Sequence, residues 1–227
     1  MTMRRLLLAI LLPVAVFAAS KSSIAIAPAI VRGAVPMAQE AALSKALAEM
    51  LSWELSMLPS IKVTDPADAG KALGTTERTE LGDGEMADAE SAGRRLGVDA
   101  FVLPRLQRSG DHLTVDAILS VVKGTRTNTF RWSVQGQEDK VLPMVRQAAI
   151  TLADSLGIRL PDAARKLINQ TQGSSWAIIE LFAKGVQAED EGRKPDALAF
   201  YREAQSRGAA IPAMLVRMKK LEAFVTR

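Results

Sequence analysis

The sequence predicts a mixed α/β unit, a small mixed sheet with flanking helices, followed by an all-α helical hairpin and a capping helix. Three observations carry that expectation. Between Val98 and Val134 apolar and polar residues alternate and are interrupted by turn residues, the pattern of half-buried strands joined by tight turns. On either side of that stretch, residues 39–58 and 142–156 place apolar side chains three or four positions apart, the spacing of one helix face. Beyond Pro161 the strand pattern does not return, and residues 176–224 read as three successive helices.

At the N-terminus, Arg4 and Arg5 precede an apolar stretch from Leu6 to Phe17, about the length of a signal-peptide core and too short to cross a bilayer as a helix. Val16-Phe17-Ala18 carries the modest side chains a signal peptidase accepts, so residues 1–18 are expected to be a signal peptide cleaved near Ala18. Ile24 to Ile30 is a short apolar run suited to a buried strand. Leu43, Leu47, Met50, Leu51, Leu55 and Leu58 line one face of a helix that Pro59 stops. Ile61 to Thr64 is β-branched and bounded by prolines, a second strand. Residues 65–84 read as irregular connection with at most one helical turn, and Glu85 to Leu96 as a helix that Gly97 ends in a left-handed cap.

Val98 to Gln107 and His112 to Val122 then form a hairpin around Ser109-Gly110-Asp111. A turn at Lys123 to Arg126 adds a third strand, Thr129 to Val134. Pro104 lacks an amide donor, so its strand is expected to be an edge or to bulge there. Leu142, Val145, Ala149, Leu152 and Leu156 form the closing helix of a domain spanning 23–160, and a linker is expected over 161–175.

The composition, 48% hydrophobic and 24% charged over 227 residues, suits a folded globular protein. With no cysteine, disulfides are excluded, as is lipid attachment at the cleavage point. No stable membrane insertion is expected after cleavage. Removing Arg4 and Arg5 takes the net charge from +4 to +2, a balance that does not call for nucleic acid.

Leu96-Gly97-Val98-Asp99-Ala100-Phe101-Val102-Leu103 and Arg108-Ser109-Gly110-Asp111-His112-Leu113-Thr114-Val115 are the core of a wider similarity. With the opening strand Ser23 to Pro28 and the helix Ala41 to Leu58, they resemble the TolB N-terminal-like (FlgO-like) domain of exported bacterial proteins, a domain often joined to tetratricopeptide repeats. Val31 to Pro36 departs from that family's first loop, which puts in doubt any partner read there. Gly185, Gly192, Ala197, Tyr201 and Ala204, with Leu181 before them, match the spacing of one tetratricopeptide unit, in which small residues let two helices approach and an aromatic fills the groove. Lys184 and Ala188 depart from the usual residues. The unit covers residues 176–227 with its capping helix, and a single repeat must lean on another surface: the α/β domain, a second copy or a partner.

Catalytic chemistry finds little support. His112, the single histidine, sits beside a turn with neither nucleophile nor orienting partner nearby in sequence, and zinc lacks its usual ligand set. Asp83, Glu85, Asp88 and Glu90 fail the calcium-loop spacing and suit a helix start, and Gly82-Asp83-Gly84 lacks the rest of a phosphate loop. Arg105, Arg108, Arg126 and Arg131 read as a solvated strand face. Trp53 and Trp132 read as core.

The expected function is therefore a non-catalytic periplasmic adaptor or scaffold, without cofactor or metal, that binds another protein of a cell-envelope assembly. Candidate binding residues are Trp176, Ala188, Tyr201, Met214, Met218 and Leu221. Oligomerisation stays open. The alternative is an envelope regulator holding a small or polymeric ligand, such as a glycan, in the α/β domain. Convergent polar groups would favour the alternative, and a flat apolar groove on Ala188, Tyr201 and Met214 the first.

Overall fold

The computed structural model describes residues 21–33, 35–74, 83–123, 126–158, 160, 162, 165 and 174–225. The segment expected to be a signal peptide and most of the expected linker lie outside the described residues.

The strands are β1 (Ser22–Ile26), β2 (Ile30–Gly33), β3 (Ile61–Thr64), β4 (Ala100–Ser109), β5 (His112–Lys123) and β6 (Arg126–Gln137). They form one mixed sheet in the order β3-β1-β4-β5-β6, with β2 also paired to β4. β1 runs parallel to β3 and β4, whereas β4, β5 and β6 form an antiparallel meander. The helices are α1 (Met37–Ser56), α2 (Pro66–Leu73), α3 (Asp83–Leu96), α4 (Val141–Ser155), α5 (Trp176–Asp190), α6 (Lys194–Ser206) and α7 (Pro212–Val225).

The strand expected over 24–30 is broken in two, and Pro104 gives the reason. β4 is a central strand and not an edge, with Pro104 opposite Ala117 of β5, so of the two expectations for Pro104 it is the bulge that applies. On its other side Ile26 pairs with Val102 but Ile30 pairs with Arg105, so an extra residue is accommodated across Ala27 to Ala29. The ladder is interrupted where the proline has no N–H to give, and the Ala29 amide turns instead to the Ser44 carbonyl at 3.1 Å.

The segment read as irregular contains α2, which has a clear start: Pro66 occupies the first turn and Asp65 Oδ1 accepts the Ala67 amide at 2.8 Å. Gly97 ends α3 at φ +63, the left-handed conformation expected of it.

The sheet is covered on both faces. Ile24, Ile26, Val102, Leu106, Val115 and Leu119 point toward α1 and α4, and Ala25, Phe101, Leu103 and Ile118 toward α2 and α3. The first cluster does not stop at α1. It continues without a break into α5, α6 and α7, so the far side of α1 is the surface against which the C-terminal helices pack.

Within the hairpin α5 and α6 meet closely at Gly185. A β-carbon there would stand 2.0 Å from Cε1 of the fully buried Tyr201 ring. Gly185→Ala must therefore push the α5 backbone off α6, and we expect a loss of about 1–3 kcal/mol. Urea denaturation checks it: the midpoint should fall with an unchanged slope.

Candidate functional site

The six residues offered as a docking surface are brought together by the fold, but as packing. Tyr201, Ala188 and Met214 are fully buried, and Trp176, Met218 and Leu221 are at most 7% exposed. All six lie in the cluster that α1 completes. The apolar stripe of α7 thus faces inward, and Leu215 and Phe224 are its exposed large side chains, Phe224 carrying the Lys194 ammonium 3.4 Å from its ring centroid. Trp176 is engaged twice: its indole N–H donates to Glu180 at 2.8 Å, and the Arg108 guanidinium lies 4.9 Å from its ring centroid.

An open apolar surface occurs elsewhere, at a seam the sequence does not announce. Trp53 lies near the end of α1 and Met57 just beyond it, Ala149 and Ile150 come from α4, and Leu160 and the first residue of α7, Pro212, close the groove. The groove holds about 320 Å³. Met57 is 63% exposed at its mouth. One ion pair crosses it: Arg146 donates from Nε to Glu54 Oε2 at 2.9 Å and from Nη2 to Oε1 at 2.7 Å, a two-pronged contact that fixes the spacing of α1 and α4.

On the other side of Trp53 lies a more polar cavity of about 380 Å³, lined in part by Glu49, Glu189, Arg217 and Lys220. Arg217 of α7 bridges Glu49 of α1 at 2.6 Å and Glu189 of α5 at 2.5 Å, with all three side chains a quarter exposed or less. Burial works against its charge, but the two carboxylates outweigh that and hold its pKa above the ordinary value.

The α/β unit carries a third concavity, of about 340 Å³, lined by Lys21, Ser22, Asp99, Asn128, Phe130 and Ser155 among others. Asp99 is held in place there, its Oδ2 accepting from the Ser23 amide at 2.7 Å and the Ser23 hydroxyl at 2.8 Å. Phe130 is 43% exposed.

The four meander arginines do not form one face. Arg105 and Arg108 are an odd number of residues apart on β4, so they point to opposite sides, the first paired with Asp116 and the second with Glu138. Arg131 reaches the Met86 sulfur at 3.1 Å. His112 contacts Asp111 on an exposed turn, Nδ1 to Oδ1 2.7 Å. In the acidic run, Glu90 is held by the Thr127 hydroxyl and by Arg94, which lower its pKa.

No family model and no curated protein matches the sequence. Among solved structures, the chain is similar to the LpoB C-terminal domain from Salmonella enterica, at 14% identity and a TM-score of 0.34 over 52% of this chain and 84% of that one. E. coli LpoB is 18% identical, with a TM-score of 0.37 over 52% of this chain and 57% of that one. Lipoprotein GNA1162 from Neisseria meningitidis is 15% identical, with a TM-score of 0.37 over 62% of this chain and 99% of that one. At these scores the likenesses carry no function to this chain.

Proposed function

We propose that the chain is a non-catalytic periplasmic adaptor or scaffold that binds another protein of a cell-envelope assembly, and that it does so through the groove beside Trp53 and Met57. The observation that carries this reading is the apolar lining at the junction of α1, α4 and α7, open at Met57 while the rest of the α1 stripe is covered. Its occupant is an apolar segment of the partner, two or three side chains long, seated against Trp53 and Ile150 beside the Glu54–Arg146 ion pair. The close approach of Gly185 to Tyr201 supports reading α5 and α6 as a tetratricopeptide-type hairpin that stiffens α1 rather than presenting a groove of its own. Order of strands and helices supports the TolB N-terminal-like reading of the α/β unit.

A photo-crosslinking residue placed at Met57 should yield one discrete adduct in cells, and the same residue at the exposed Gln205 of α6 should not. Met57→Asp should abolish capture of that protein while the melting temperature falls by no more than a few degrees, because most of the side chain is already in water. The same adducts from both positions, or full capture by Met57→Asp, would remove the groove from consideration.

A second reading keeps one specific observation in its favour. The concavity at Phe130 combines an exposed aromatic ring with Asn128, Asp99, Lys21 and Ser22, the mixture of platform and hydrogen-bonding groups that suits a glycan or another polar polymer. Titration with soluble glycan fragments, comparing the protein with Phe130→Ala, decides it: saturable binding lost in the variant supports this reading, and no binding removes it.

A further inference from the structure

The two edges of the sheet are treated differently. β3 is four residues long and is bounded by Pro59 and Pro66, so it offers little to a passing strand. β6 is twelve residues long, pairs with β5 in unbroken register from Arg126 to Gln137, and contains neither proline nor lysine. Among the described residues nothing pairs with its outer side. Of the devices that normally blunt a sheet edge, it carries only the charged side chains of Arg126 and Arg131.

The register shows which groups that edge presents. Ser109 and His112 close a two-residue turn, so the even-numbered residues of β5 bond to β4, as the Val122 amide does to the Asp99 carbonyl at 2.8 Å. The odd-numbered residues of β5 therefore bond to β6, through Asn128, Phe130, Trp132, Val134 and Gly136. It follows that Thr127, Thr129, Arg131, Ser133 and Gln135 direct their backbone N–H and C=O groups outward.

We propose that a second copy of the chain fills this edge, the two β6 strands pairing antiparallel about a twofold axis at Trp132. The strand's own pattern selects the occupant and the register. Centred on Trp132, Arg131 faces Ser133 of the second copy, Thr129 faces Gln135, and Phe130 lies beside Val134, so polar groups meet polar and apolar meet apolar. Moving the axis to Arg131 would set two arginines directly opposite each other, which is unfavourable. Phe130, 43% exposed in the single chain, gains in Val134 of the second copy an apolar neighbour on the side away from Leu119. The result is one sheet running through two molecules, with each groove at Trp53 left on its own copy. The inference stands on the edge, so its failure would leave the groove reading untouched.

Sedimentation equilibrium of the purified protein tests it, with two substitutions at an exposed position whose backbone already points away from β5. Ser133→Glu sets a carboxylate opposite Arg131 of the second copy at two symmetric places, and should tighten the dimer about tenfold. Ser133→Lys sets like charges there and should weaken it about tenfold. Ser133→Pro, which removes an outward N–H and none from the β5 ladder, should leave a folded monomer. A protein that is monomeric at every concentration, or a dimer indifferent to the sign of the charge at position 133, overturns the proposal.

Discussion

Tyr201→Ala is expected to lower stability by about 3–5 kcal/mol, the cost of removing a fully buried ring that its neighbours cannot collapse to replace. The ring is wedged between Gly185 and Phe182, the latter at 6.0 Å between centroids, and the cavity left would sit where α5, α6 and α7 converge on α1. Burial, reinforced by the Glu189 carboxylate, pushes the phenol's pKa up, so the side chain stays neutral and its worth is in the ring. Tyr201→Phe should accordingly stay within about 1 kcal/mol of the parent. His112→Ala, on an exposed turn, should be silent. Chemical denaturation of the three variants separates these outcomes, and equal small shifts would mean that the ring is not the keystone of the hairpin.

Arg217→Met should cost a comparable amount, about 3–5 kcal/mol, for a different reason. The substitution keeps most of the side-chain volume and removes the positive charge between Glu49 and Glu189, leaving two largely covered carboxylates facing one another. Because these three groups come from α1, α5 and α7, the damage falls on the join between the C-terminal helices and the α/β unit. Adding Glu49→Gln and Glu189→Gln to Arg217→Met should recover most of the loss, since the penalty lies in unpaired charge and not in packing. Denaturation of the single and triple variants measures both. Failure of the triple variant to recover would show that the arginine's stem matters more than its charge.

Much of the fold was legible because periodicity reports burial. The meander was readable from Leu113, Val115, Ala117, Leu119 and Val121, all of which face one helical layer, and α1 from a stripe that ends at Pro59. α2 was missed although Asp65-Pro66 is a helix start; eight residues are too few for a period to declare itself. The site was far less legible. Trp53, which reads as core in the sequence, has its face on a groove because α4 and α7 pass it on either side without closing. Met214, Met218 and Leu221 recur at helical spacing and are covered, since periodicity says that a face must be buried but not by what. Only the three-dimensional placement of α1, apolar on both sides, resolves which surface meets which.

That doubly apolar α1 also sets an order of events. A chain emerging N-terminus first completes the sheet and α4 while the outer side of α1 still waits for residues 176–221, roughly the last quarter of the sequence. Until then the nascent molecule carries an adhesive flank that an internal site in the finished protein no longer betrays. Ribosomal stalling, proteolytic clipping or a premature stop anywhere between α4 and α5 would freeze it in that sticky form, so the cell's quality-control machinery, rather than loss of a binding surface, would decide the fate of such fragments.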